Sequence, residues 1–347
     1  MVVNRLPSWH LPDEFERVVA IGDIHGDLDA LLRILIGMAL INPEGDWIAP
    51  QTCLVLLGDL NDRGPDSIPV LDAAMQLERL ARANDAVVYA LLGNHEMLVA
   101  EGNFSFFSPV EARAAESFRY QGRTGLSAIY QGDSLYARWL RQRPALLKIG
   151  RTVFAHGGLG DGCLHYTPDV INQTLQDWMA YFQGMGEAPD QSTAWLTEQN
   201  SHSPIWTRCL RVGRQSASES SATRSMLHKL GQAWGFERIV AGHNPTLHLE
   251  YRAACPHPVF GDTVAVIDTG ICRFYSGHLS ALELRFGTPV MHYFERGEQE
   301  LTLTKKWRAQ CRQRLQSLSH TAACSMLAAL TISHLQTSSI IFRYKNR

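Results

Sequence analysis

Short apolar runs alternate with helical periodicity along the first hundred residues. Arg17–Ile21 reads as a buried strand that stops at Gly22, and residues 27–40 then place Leu28, Leu31, Leu32, Leu35 and Met38 at helical spacing. The pattern repeats. Residues 52–57 predict a strand before Gly58 and residues 67–83 a helix after Pro65; residues 86–92 predict a third strand before Gly93. Runs this uniformly apolar suit strands covered on both faces, as in a parallel sheet with helical crossovers. Asp23, Asp59 and Asn94, just past the three strands, are 36 and 35 residues apart. Each interval fits one strand–helix–strand crossover, so the three loops should leave the same sheet edge.

Farther on, Thr152–Ala155 and Arg238–Ala241 predict short strands before His156 and Gly242, and residues 263–267 predict another before Asp268. Residues 279–284 and 289–293 alternate as a terminal meander. Late antiparallel strands after early crossover units predict an α/β fold, a sandwich of two sheets flanked by helices. Residues 15–295 form its expected domain, with an irregular cap or insert at 159–236. Within that insert, residues 169–182 predict a helix, and the serine-rich stretch 214–225 predicts a mobile surface loop.

Charge changes the picture at the C-terminal end. The chain of 347 residues has a formal charge of −2, yet from Lys305 onward it carries eight Lys or Arg and no Asp or Glu. The preceding body therefore holds 24 basic against 34 acidic residues, which argues against nucleic acid as a partner. Residues 301–347 read as a basic appendage, with an acidic partner or a membrane surface as candidate attachments through 305–314 and the apolar run 321–332. No stretch has the roughly 20 apolar residues that span a membrane. The N-terminus lacks a signal-like apolar segment, and seven cysteines without regular spacing favour reduced thiols. The expected location is the cytoplasm.

The chemistry sits where the apolar runs end. Five polar clusters occur in order: Gly22-Asp23-Ile24-His25-Gly26, Gly58-Asp59-Leu60-Asn61-Asp62-Arg63-Gly64, Gly93-Asn94-His95-Glu96, His156-Gly157-Gly158 and Gly242-His243-Asn244. Strand C-terminal ends are where α/β sheets present ligands. Carboxylate, imidazole and amide donors of this kind suit two divalent ions of manganese, iron or zinc, and no thiolate is included. Paired ions of that type hydrolyse phosphate esters. Asp59 is the candidate bridging carboxylate, Asp23 and His25 can turn toward one ion, and Asn94, His156 and His243 can hold the other. His95 can instead face the substrate as general acid, with Asp62 orienting it, and the Arg63 fork matches phosphate oxygens.

With these signatures, residues 17–295 resemble the calcineurin-type metallophosphoesterases, in their phosphoprotein-phosphatase branch, and are most similar to the Shewanella-like phosphatases of bacteria and plants. Supporting segments are Ser203-Pro204-Ile205-Trp206-Thr207-Arg208 and Asp268-Thr269-Gly270 with Tyr275-Ser276-Gly277-His278 beyond it. The resemblance implies the dinuclear site at the strand ends and adds Arg208 as a second phosphate-binding arginine, with Asn94 also near the phosphate. It implies attack on phosphorus by a hydroxide held between the ions, and a phosphoprotein or small phosphoester as substrate. Two departures bear on specificity: Leu92 stands where the eukaryotic Ser/Thr enzymes have arginine, and Asn244 where the family usually has threonine. Phosphotyrosine therefore stays open beside phosphoserine and phosphothreonine. Dinucleoside polyphosphate hydrolysis, as by bis(5'-nucleosyl)-tetraphosphatases that share the clusters, is the alternative.

Overall fold

The computed structural model describes residues 9–11, 15–199, 202–213 and 215–320. Two five-stranded sheets form its centre. In the first, Arg17–Ile21, Thr52–Leu56 and Val87–Ala90 run parallel, and the hairpin Leu279–Arg285 with Thr288–Phe294 adds antiparallel beside Arg17–Ile21. In the second, His10–Leu11, Leu146–Ile149, Thr152–Ala155, Arg238–Ala241 and Val264–Val266 are neighbours in that order, with only the pair 146–149 and 152–155 antiparallel. Val264–Val266 thus joins the second sheet, while the other late strands close the first.

Strand alternation divides the core. Val18, Ala20, Cys53 and Val55 share one buried cluster with Leu147, Phe154, Val240 and Ala265 of the other sheet, which is the sandwich interior. Their neighbours Val19, Ile21, Leu54 and Leu56 point the opposite way, into a cluster with helical residues such as Leu31, Leu35, Leu71 and Leu77. Side chains alternate across a strand, so a strand covered on both faces must be apolar at every position. The helices Leu28–Gly37 and Ser67–Arg82 cover that outer face as the crossovers.

The serine-rich stretch differs from expectation. Residues 217–225 of that stretch open the helix Ala217–Trp234 instead of forming a mobile loop. Ser216 accepts the Glu219 N–H while the Glu219 carboxylate returns to the Ser216 N–H, a capping box that satisfies two donors at the helix start. Met226, Leu227 and Leu230 bury one side, and Gly235 ends the helix in the left-handed conformation. The Ser-x-x-Glu signal was present in the sequence, but serine content masked it.

Of the basic tail, residues Thr302–His320 form a helix against Leu28–Gly37 and Ser67–Arg82. Leu303, Trp307, Cys311 and Leu318 are buried along it, a narrow stripe that composition alone conceals. Three of its five cations have partners within the chain: Arg308 with Asp66, Arg314 with Asp72, and Lys306 with the Glu44 carbonyl. The apolar run 321–332, considered above for attachment, lies outside the described residues. Among the described residues no helix is long and apolar enough to cross a membrane.

Candidate active site

The motif loops are laced together by backbone hydrogen bonds where the two sheets meet. His25 and Ile24 donate to the Asp59 carbonyl at 2.8 and 3.1 Å, Gly64 donates to His25 at 2.9 Å, and Gly242 donates to His156 at 2.8 Å. A Cβ on Gly64 would press on the His25 and Gly26 carbonyls, and one on Gly93 would press on the Asp59 carboxylate. Glycine is required there by close approach, not by its dihedral angles. Five site residues adopt left-handed φ despite their side chains: His25 (45°), Asp59 (49°), Asp62 (71°), Arg63 (69°) and His243 (59°). Such conformations are uncommon outside glycine and concentrate at functional sites.

Asp59 lies between two groups of donors. His25, Asp59 and His95 offer atoms within 4.8 Å of one another, and so do Asp59, His156 and His243. His25 Nε2 is 3.5 Å from Asp59 Oδ2, and His156 Nε2 is 3.3 Å from Asp59 Oδ1. Asn94 Oδ1 adjoins the second group, 2.9 Å from His156 Nε2. Asp23 sits beside the second group as well. Its carboxylate accepts the His243 N–H at 3.0 Å and lies 3.9 Å from His156 Nδ1. All six predicted ligands are buried.

The second nitrogen of each imidazole is held from behind. His25 Nδ1 meets the Asn61 carbonyl at 3.0 Å, and His156 Nδ1 meets the Leu57 carbonyl at 2.9 Å. His95 Nδ1 lies 2.5 Å from Asp62 Oδ2, which leaves Nε2 facing the site. His95 is therefore oriented as a proton donor would be, although its Nε2 is also 3.9 Å from Asp59. Arg63 projects its guanidinium between two rings, 4.6 Å from Phe106 and 5.3 Å from Phe274. Arg208 is tied to the site by a 3.1 Å bond to the His243 carbonyl. Asp268 orders the loop after His243, its carbonyl accepting the Thr246 N–H at 3.0 Å.

Protonation follows from burial and charge. Burial pushes the His25 imidazole down to about 3, and burial together with His156 and Arg208 holds His243 well below the usual range. Burial opposes ionisation of Asp59, but His156 and His95 outweigh it and hold the carboxyl well below its usual value. Burial likewise opposes a charged His156, yet Asp59 and Asp23 raise it to about 9. His25 and His243 are neutral beside an ionised Asp59, as a metal requires of its ligands, and the carboxylate charge that keeps His156 protonated is the charge a bound cation would neutralise. Asp23, Asp59 and Asp62 pair only with histidines among the described residues, and neither Lys nor Arg neutralises them. The donor set thus fits divalent cations.

Glu96, the last residue of the Gly93-Asn94-His95-Glu96 cluster, sits in the first turn of Asn94–Ala100, and its buried carboxylate accepts the N–H groups of Asp59, Leu60 and Gly93, each at 2.8 Å. It therefore holds the Asp59 turn. Glu96→Ala would leave three buried donors unpaired, at about 1–3 kcal/mol each. A loss of about 3 kcal/mol or more in denaturant unfolding is expected, with metal affinity down about 10- to 100-fold.

The family model for calcineurin-like phosphoesterases matches residues 16–247. This chain belongs to the calcineurin-like phosphoesterase family. Shewanella-like protein phosphatase 2 of Arabidopsis thaliana is 24% identical to this phosphoesterase over 312 residues, covering 78% of this chain and 75% of the relative. The symmetrical bis(5'-nucleosyl)-tetraphosphatase of Erwinia tasmaniensis is 33% identical over 144 residues, 40% of this chain and 43% of its own length. Among solved structures, the cold-active protein-tyrosine phosphatase of a psychrophilic Shewanella species superposes with a TM-score of 0.68 at 24% identity, covering 86% of this phosphoesterase and 83% of that chain. The likeness establishes the metallophosphoesterase fold.

Proposed function

We propose that this phosphoesterase is a metal-dependent protein phosphatase with a preference for phosphotyrosine, transferring the phosphoryl group directly to water. The observation that carries the preference is the aromatic mouth of the site. Phe106 and Phe274 flank the Arg63 guanidinium, the Phe106 ring lies 5.2 Å from His95, and the Tyr275 ring lies 5.6 Å from His25. A flat aryl leaving group can stack there while its phosphate meets the arginine; a serine or threonine phosphate has no ring to offer. The plant relative, named a protein phosphatase and aligned over 78% of this chain, supports the substrate class.

Asp23, His25, Asp59, Asn94, His156 and His243 are the proposed ligands of two divalent ions, manganese, iron or zinc. Bound there, such ions supply a strong water-derived nucleophile at neutral pH and offset charge on the phosphoryl oxygens. Arg63 and Arg208, with the Asn94 amide, orient those oxygens for in-line attack. His95, kept protonated by Asp59 and Asp62 against the effect of burial, hands its Nε2 proton to the leaving oxygen. The six described cysteines are free, which suits a reducing compartment, and the proposed location is the cytoplasm.

One preparation tests the reading against its alternative. With a phosphotyrosine peptide, a phosphothreonine peptide and diadenosine tetraphosphate, kcat/KM should favour phosphotyrosine by about 10-fold, equivalent to about 1.4 kcal/mol of ring stacking. Faster turnover of the dinucleotide would move the assignment to the tetraphosphatase reading, for which the relative matching 40% of this chain is the support. Phe274→Ala should narrow the phosphotyrosine preference without changing metal content.

A further inference from the structure

The turn bearing Asp62 and Arg63 is held in part by groups outside every motif. Both residues carry left-handed φ, so their conformation depends on what surrounds them. Four residues after Asp62, Asp66 occupies the N-cap of Ser67–Arg82, where a carboxylate ordinarily accepts an N–H of the first turn. It makes no such bond. The Ile68 N–H is taken instead by Glu111, at 2.8 Å. Both Asp66 oxygens face Arg308 of the C-terminal helix, at 2.7 Å from Nε and 2.6 Å from Nη2, a two-pronged contact across 242 residues of chain. Glu300 adds a third oxygen on Arg308 at 2.8 Å.

From Asp66 the connection to the site is short. Its N–H donates to the Gly26 carbonyl at 2.9 Å, and Gly64 donates to His25 at 2.9 Å. The hydroxyl of the next residue, Ser67, accepts the Asp62 N–H at 3.0 Å. We propose that Arg308 is a positioning residue for proton donation: its fork on Asp66 sets the turn that aims the Asp62 carboxylate at His95, which makes the C-terminal helix part of the catalytic unit. This rests on His95 as the general acid. A purely anchoring role is separable, because Arg314 pairs with Asp72 at 2.9 Å from the same helix, six residues farther along Ser67–Arg82.

The test uses the full chain and compares kcat on phenyl phosphate, a poor leaving group, with kcat on para-nitrophenyl phosphate. Arg308→Ala should lose about 10-fold or more on phenyl phosphate and less than about 3-fold on the nitrophenyl ester. Arg308→Lys should fall between, since an ammonium cannot form the fork. Arg314→Ala should lower the melting temperature while leaving the ratio of the two rates unchanged. Equal losses on both esters for the Arg308 variants, or the same altered ratio in Arg314→Ala, overturn the proposal. If Arg308→Ala does not fold, an unchanged ratio in Arg308→Lys overturns it. His95→Asn, run in parallel, separates the two ideas. A changed ratio there with none in the Arg308 variants rejects the positioning role and leaves the acid assignment standing; no change in His95→Asn rejects both.

Discussion

His95→Asn should lower turnover of phenyl phosphate by about 10²- to 10⁴-fold, the range for loss of a positioned general acid, and should lower that of para-nitrophenyl phosphate far less. The reason is local. Asp62 holds Nδ1 at 2.5 Å, leaving Nε2 as the donor toward the site. Burial would strip the His95 proton, but Asp59 and Asp62 outweigh it and raise the group above the ordinary histidine range. A general acid raised in this way works below its pKa and fails as pH rises through it. Activity should therefore fall on an alkaline limb, and Asp62→Asn should move that limb to lower pH by removing a negative neighbour. Steady-state profiles of kcat on the two esters check both statements. Equal losses on both esters would remove His95 from the acid role.

Asp59→Asn carries the second large effect. Its two oxygens serve both donor groups, at 3.5 Å from His25 and 3.3 Å from His156. An amide retains the shape but gives up the charge that, on the proposed reading, would draw two cations together. Turnover should drop by at least about 10²-fold, beyond the cost of losing a residue that only supports a ligand. Metal analysis of the purified protein should find fewer ions per chain than in the wild type. Chelation of the wild type should reproduce the loss, and adding back manganese, iron and zinc separately identifies the productive ion. Full turnover in Asp59→Asn with undiminished metal would sink the bridging assignment.

Glu96 and Arg308 illustrate why part of the site was hidden from the sequence. Glu96 belongs to a legible motif, and its place in a helix's first turn was readable, but nothing local indicates that its carboxylate accepts N–H groups 36 and 37 residues earlier. Arg308 stood in a tail set apart by its charge. The buried stripe Leu303, Trp307, Cys311 that docks it is visible only when the segment is read as a helix. The aromatic mouth was equally silent, since Phe106 and Phe274 are 168 residues apart and both lie against Arg63.

The sequence by itself determined the strand–loop–helix rhythm and the two-sheet α/β fold, and it named the side chains proposed as donors. These are set by local patterning: alternation buries both faces of a strand, and polar clusters occur where it stops. Tertiary structure alone decided which donors share a neighbour. It put Asp23 beside His156, put His95 in reach of both Asp59 and Asp62, and docked the basic helix behind the Asp62–Arg63 turn. Distances between side chains on different loops depend on how the sheets pack and where each loop turns, and no residue spacing encodes that.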